Sequence, residues 1–140
     1  VHEAVNCFFE TSADVVTTAR KPSFPDGIDV EVFALSSLQW VAKNVEDPHV
    51  REHVSSYFYQ NSDKYRLVDL EAPTEWRSPD IRLLLDYPED LLFLQRVFDH
   101  FLGNGVVHPN LGEVLRLIQR DSQFQSLHEF VPLWRLLLRH

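Results

Sequence analysis

No methionine occurs anywhere in the 140 residues, and the chain opens on Val1. A start codon's product is therefore missing, and we expect either a processed chain or a piece of a longer protein, with an incomplete domain. A single cysteine, Cys7, excludes an internal disulfide; placed among Val5, Phe8 and Phe9, it suggests a reduced, half-buried thiol. Four glycines give neither Gly-x-Gly-x-x-Gly nor a Walker sequence, so no phosphate-binding loop is present. No Cys/His cluster has zinc spacing, and no serine-hydrolase elbow occurs. The 13 basic residues form no dense run and the net charge is −8, which disfavours nucleic acid or an anionic membrane surface but leaves small anionic ligands open. No apolar run approaches the roughly 20 residues of a membrane span, and no signal sequence is visible, so a cytoplasmic location is expected.

What the chain does have is one domain's length, 44% hydrophobic residues and a conspicuous stretch from Phe24 to Phe33. Pro25-Asp26-Gly27 combines a preset φ with a residue that tolerates positive φ, the makings of a turn. Beyond it Ile28, Val30 and Val32 alternate with Asp29, Glu31 and Phe33. One face of that strand is aliphatic and the other carries two carboxylates, roughly 6 to 7 Å apart. Such a face is either an ordinary solvated surface or the wall of a polar cleft.

The rest of the chain alternates helix and strand. Residues 1 to 11 have helical apolar spacing, and the β-branched run from Asp14 to Ala19 reads as a strand. Ser36 or Ser37 is placed to cap a helix that ends near Asn44. Residues 48 to 61 read as another helix, with Val50, Val54 and Tyr57 or Phe58 on its apolar stripe. Tyr65 to Leu70 is a third strand, and Ile81 to Asp86 has the near-continuous apolar character of a central strand covered on both faces. Pro88 and the acids Glu89 and Asp90 open a helix that ends at Gly103-Asn104-Gly105. From Pro109 two amphipathic helices follow, one with Leu111, Val114, Leu115 and Ile118, the other with Val131, Trp134, Leu137 and Leu138. The pattern predicts an α/β domain with a mostly parallel sheet and a helical carboxy-terminal tail, whose last helix is a candidate homodimer contact.

In parallel sheets ligands sit beyond the carboxyl ends of strands, and Asp86 occupies such an end. It could coordinate a hard cation such as Mg²⁺, or simply flank the following helix. Arg51 and His53 could hold an anionic group, or be a solvated helix start. Asp29 and Glu31 could accept hydrogen bonds from sugar hydroxyls.

Three blocks stand in order: Phe-Pro-Asp-Gly-Ile-Asp-Val-Glu-Val-Phe at 24 to 33, Arg-Glu-His-Val-Ser-Ser-Tyr at 51 to 57, and Ile-Arg-Leu-Leu-Leu-Asp-Tyr-Pro-Glu-Asp-Leu at 81 to 91. Together they resemble the carboxy-terminal half of the cytidylyltransferases of the spore-coat polysaccharide biosynthesis group, relatives of the acylneuraminate and 3-deoxy-manno-octulosonate enzymes. The resemblance covers roughly residues 1 to 102. It implies an incomplete nucleotide-diphosphosugar-transferase-like (Rossmann-like) fold in residues 1 to 103, followed by a helical tail from 104 to 140. It also implies activation of a sugar acid with CTP, giving a CMP-sugar for surface polysaccharide, with Mg²⁺ as cofactor. Asp86 matches the family's metal-binding aspartate; Asp26, Gly27, Asp29, Glu31, Arg51, His53 and Tyr57 fall in the part that forms the sugar-side wall. Leu84 and Ser55-Ser56 depart from the family's usual Thr and Thr-Pro. The family's glycine-rich nucleotide loop and second metal-binding aspartate belong to an amino-terminal half that this sequence does not contain, so the chain by itself is expected to be inactive.

Overall fold

The computed structural model describes residues 1 to 125. They fall into two compact units: one made of Val1–Pro22 with Asp29–Glu71, the other of Ser23–Ile28 with the chain from Ala72 on.

The first unit is built on a three-stranded sheet in the order β2-β1-β3, from β1 (Val15–Thr17), β2 (Glu31–Phe33) and β3 (Leu67–Asp69). β1 pairs antiparallel with β2 and parallel with β3, so the sheet is mixed among the described residues. Alternation along each strand separates two faces. Val16, Val32 and Val68, with Val30 and Leu70, pack under α1 (His2–Thr11) through Ala4, Cys7 and Phe8. Cys7 is half-buried, as its neighbours suggested. Val15, Phe33 and Leu67 face the other way, onto Val41 of α2 (Leu35–Asn44), Val50 of α3 (Pro48–Glu52) and Phe58 of α4 (Val54–Gln60). Covering both faces buries Val15 and Val16 completely.

Two local expectations differ in this unit. Neither Ser36 nor Ser37 caps α2, whose N-cap is Ala34; the Ser37 hydroxyl instead donates to Asp14 Oδ1 at 2.8 Å. The helix expected over 48 to 61 breaks at His53, whose φ and ψ of −125° and 72° end α3 before α4 begins. Asp47 caps α3 by accepting from the His49 N–H at 2.8 Å.

The second unit packs α5 (Pro88–Gly103) against α6 (Leu111–Arg120), with Phe93, Val97, Phe101, Leu115 and Ile118 buried together with Ile81 and Phe124. α6 starts in a capping box, Asn110 accepting from the Glu113 N–H and Glu113 accepting from the Asn110 N–H. Ile81 to Asp86 does not form the central strand its composition predicts. Only one residue pair, Asp26 with Arg82, makes a parallel bridge, closed by Asp26 N–H to Ile81 O (2.8 Å) and Leu83 N–H to Asp26 O (2.7 Å). Arg82 turns inward to carboxylates and Leu85 is exposed, so the run serves as a polar clamp with an apolar flank, not a two-faced strand. Gly27 makes this approach possible. Its φ is +97°, and a Cβ there would lie 2.9 Å from the backbone carbon and oxygen of Leu83.

No helix among the described residues is long and apolar enough to cross a membrane. The helix expected over Val131 to Leu138, and with it the dimer contact, lies outside the described residues.

Candidate functional site

Each unit contains one concentrated polar cluster. In the first, the face that starts apolar with Val15, Phe33 and Leu67 becomes polar one pleat further on. Thr17 is paired with Glu31 across one ladder and with Asp69 across the other, which places all three side chains in one row. The row lies at the carboxyl ends of the parallel pair β1 and β3, where α/β sheets present their ligand-contacting groups.

Tyr59, on α4, closes onto this row. Its hydroxyl donates to Glu31 Oε1 and lies 2.9 Å from Thr17 Oγ1. Thr17 Oγ1 in turn accepts from the Ala19 N–H at 3.0 Å. Burial, and then the hydrogen bond to the Glu31 carboxylate, push the Tyr59 phenol up to about 12. At the far end of the row, Arg20 grips Asp69 with two parallel N–H···O bonds, from Nε at 2.7 Å and Nη2 at 2.5 Å, and Lys21 adds a third contact at 3.1 Å. The Arg20 hydrogen bonds hold Asp69 below the ordinary carboxylate range despite its burial, and Asp69 in turn raises Arg20.

In the second unit, Arg82 is the hub. Only 8% exposed, it donates from Nε and Nη2 to Asp90 (3.2 and 3.1 Å), from Nη2 to Asp86 Oδ2 (2.8 Å) and from Nη1 to Asp26 Oδ2 (3.3 Å). Its carbon also sits 5.9 Å from the centre of the Tyr87 ring. Asp90 is 2% exposed and occupies the third position of α5, where it accepts from the backbone N–H groups of Asp86 and Tyr87 at 2.9 and 3.0 Å. Burial opposes ionisation of Asp90, but these bonds, led by that from Arg82, outweigh it and hold the carboxyl below its usual range. The Asp90 hydrogen bond likewise raises Arg82. Asp86 is the open member, with its side chain 57% exposed.

The residues expected from sequence are thus distributed. Asp26, Gly27 and Asp86 come together around Arg82. Glu31 lies in the polar row of the sheet, while Asp29 precedes β2 and is exposed. The other three face different neighbours. Arg51 is exposed and donates to the Ala42 carbonyl oxygen at 2.8 Å. The His53 ring packs against His49, with centroids 5.0 Å apart, and Tyr57 belongs to an aromatic group with Trp40, Phe58 and Tyr65. Sequence reasoning missed Thr17, Tyr59, Arg20, Asp69, Arg82 and Asp90. Two of these carried a signal. Asp69 lies next to the end of the strand expected over Tyr65 to Leu70, much as Asp86 ends the run from Ile81, and Arg82 is a cation inside an apolar run.

Asp86 Oδ2 is engaged by Arg82, while Oδ1 accepts no hydrogen bond from the described residues and is the one oxygen here that could serve a hard cation as a ligand. Asp26, Asp86 and Asp90 all reach the one Arg82 guanidinium. These residues do not build a cage on their own: among the described residues no group of three or more His, Cys, Asp or Glu side chains is arranged to hold a metal ion. A cation here would need waters and ligand oxygens to complete its shell, which is the usual habit of Mg²⁺.

Comparison with known proteins places this arrangement on a known fold. No protein-family profile matches the sequence. The chain is 25% identical over 105 residues to the uncharacterized protein MJ1063 of Methanocaldococcus jannaschii, covering 75% of this chain and 42% of that protein. Its structure is similar to that of a cytidylyltransferase from Leptospira borgpetersenii serovar Hardjo-bovis, with a TM-score of 0.69 and 23% identity, over 90% of this chain and 50% of the other. The chain therefore spans about half the length of the proteins it matches, and its mixed α/β fold is similar to part of a cytidylyltransferase fold.

Proposed function

We propose that this chain is the carboxy-terminal half of a CTP-dependent cytidylyltransferase of the spore-coat polysaccharide group, one that activates a sugar acid. The observation that carries this reading is the structural match, which takes in 90% of this chain but only half of a cytidylyltransferase. The order of the three sequence blocks supports it.

On this reading a sugar hydroxyl attacks the α-phosphate of CTP, CMP is transferred and pyrophosphate leaves. The three strands β2-β1-β3 would be one edge of a larger, mostly parallel Rossmann-like sheet whose remaining strands, with the nucleotide loop, belong to the amino-terminal half. Mg²⁺, when bound, neutralises phosphate charge. Asp86 would hold it through Oδ1 while Arg82 fixes the other oxygen. Asp26 and Gly27 act through the same clamp, Asp26 by tying Arg82 and Gly27 by letting the two backbones approach. Glu31 and Asp29 would face the sugar; Arg51, His53 and Tyr57 are the other residues that the resemblance assigns to the sugar-side wall. A protein of this kind works in the cytoplasm, where CTP is available.

The test is to join the chain to its upstream sequence and measure pyrophosphate release from CTP with a panel of sugar acids. Release that needs both Mg²⁺ and a sugar acid is expected. Absence of release with every sugar acid, together with absence of CTP binding, would overturn the reading. In the same protein, Asp86→Ala should abolish turnover while the circular dichroism spectrum is unchanged.

A further inference from the structure

Glu31 is held in an unusual way for a carboxylate at a sheet edge. The Ala19 N–H donates to Thr17 Oγ1, and the Tyr59 phenol donates to Glu31 Oε1. Each hydroxyl has one proton, and the phenol's is committed to Glu31. The 2.9 Å contact between the two hydroxyls therefore runs from Thr17 to Tyr59. Thr17 lies 3.4 Å from Glu31 Oε1, the longer of its two options. The result is a directed chain from amide to hydroxyl to phenol to carboxylate, in which each bond polarises the next. Thr17 is completely buried and fixed by the sheet, so the chain is anchored at its inner end.

Both of these hydroxyl contacts fall on the same oxygen, Oε1. The other, Oε2, accepts no hydrogen bond from the described residues, although Glu31 is half-buried at the carboxyl ends of β1 and β3. Asp69 and Asp90, by contrast, each engage both of their oxygens.

We propose that Tyr59 is a positioning residue: held in place by the Thr17 hydroxyl, it occupies Oε1 of Glu31 and thereby turns Oε2 toward a hydroxyl of the sugar acid. This deepens the proposed function and rests on it for the identity of the ligand. Neither Tyr59 nor Thr17 touches the reacting atoms; both act through Glu31. The elevated phenol keeps the Tyr59 proton in place across the working pH range, so the donor to Oε1 is always present.

The experiment uses the protein with its upstream sequence restored. For Tyr59→Phe, KM for the sugar acid should rise about tenfold, the loss expected for one hydrogen bond to a charged group, while kcat and KM for CTP stay near wild type. Tyr59→Phe placed on Glu31→Gln should add nothing further, because Tyr59 acts only through that carboxylate. Thr17→Ser, which keeps the hydroxyl, should behave as wild type, whereas Thr17→Val should resemble Tyr59→Phe. A sugar KM unchanged in Tyr59→Phe, or full additivity with Glu31→Gln, would overturn the inference even if transfer itself is confirmed. If no pyrophosphate is released at all, nucleotidyl transfer fails, and ligand-observed NMR with 3-deoxy-manno-octulosonate and N-acetylneuraminate decides the inference alone. Binding weakened in Tyr59→Phe supports it; equal binding, or binding to neither protein, refutes it.

Discussion

Replacing Asp90 by alanine should be far more damaging than replacing its neighbour Asp86, although both carboxylates bind the same guanidinium. Asp90 is 2% exposed and receives four hydrogen bonds, two from Arg82 and two from backbone N–H groups at the start of α5. Removing one partner of a buried ion pair generally costs about 3 to 5 kcal/mol, and losing the acceptor for a helix start adds about 1 kcal/mol. Arg82 keeps Asp86 and Asp26 in the variant, so the lower end, about 3 kcal/mol, is expected. Asp86 is 57% exposed and its pair with Arg82 is screened by water, so Asp86→Ala should cost about 0 to 1 kcal/mol. Urea denaturation followed by circular dichroism measures both. The pH dependence supplies a second check. Asp90 titrates below its ordinary value of 3.8, so its contribution is complete above that value and is lost as pH falls through the lower, folded one. The gap between wild type and Asp90→Asn should therefore close in strong acid. A loss below about 1 kcal/mol in Asp90→Ala at neutral pH, or one no larger than that of Asp86→Ala, would refute the view of Asp90 as the anchor and Asp86 as the open member.

Other consequences are as specific. Gly27→Ala forces a side chain into a φ of +97° and against the Leu83 backbone, and should destabilise by at least about 2 kcal/mol in the same assay; a neutral effect would remove the need for close approach at the Asp26–Arg82 bridge. The Tyr59 phenol should ionise near pH 12 in an ultraviolet titration. The stability tied to its proton is complete below the ordinary value of 10 and is lost as pH rises through about 12, a loss absent in Tyr59→Phe. Arg20→Ala leaves Asp69 with Lys21 alone and should cost about 1 to 2 kcal/mol. It should also move the Asp69 titration, followed by carboxyl NMR, up toward the ordinary carboxylate range; no movement would show that Arg20 is not what holds it down.

Element type was legible wherever a periodic signal matched a single environment. The starts of α1 and α5 follow from helical spacing and Pro88, and the strand expected over Ile28 to Phe33 forms in its second half, Glu31 to Phe33. Ile81 to Asp86 misled because apolar content predicts burial, not ladder hydrogen bonds. Ile81 is buried in a helical core and Arg82 in a salt-bridge hub, and neither needs a strand. The break at His53 was invisible because Val50, Val54 and Phe58 keep one apolar stripe across it.

The site was legible only in part, for a related reason. A carboxylate on a strand announces its own oddity, which is how Glu31 stands out from sequence. The groups that give it a fixed direction do not. Thr17 is a good strand former and Tyr59 a plausible helical aromatic, so each satisfies a structural expectation and raises no question. Their role appears only when the register sets Thr17 opposite Glu31 and α4 lays the Tyr59 hydroxyl across both. The same holds for Arg82, whose three carboxylates are spread from position 26 to position 90. Chemistry placed on one residue can be read from sequence; the orientation of that residue is a property of the pairing, and here the pairing is what separates a bound oxygen, Oε1, from an offered one, Oε2.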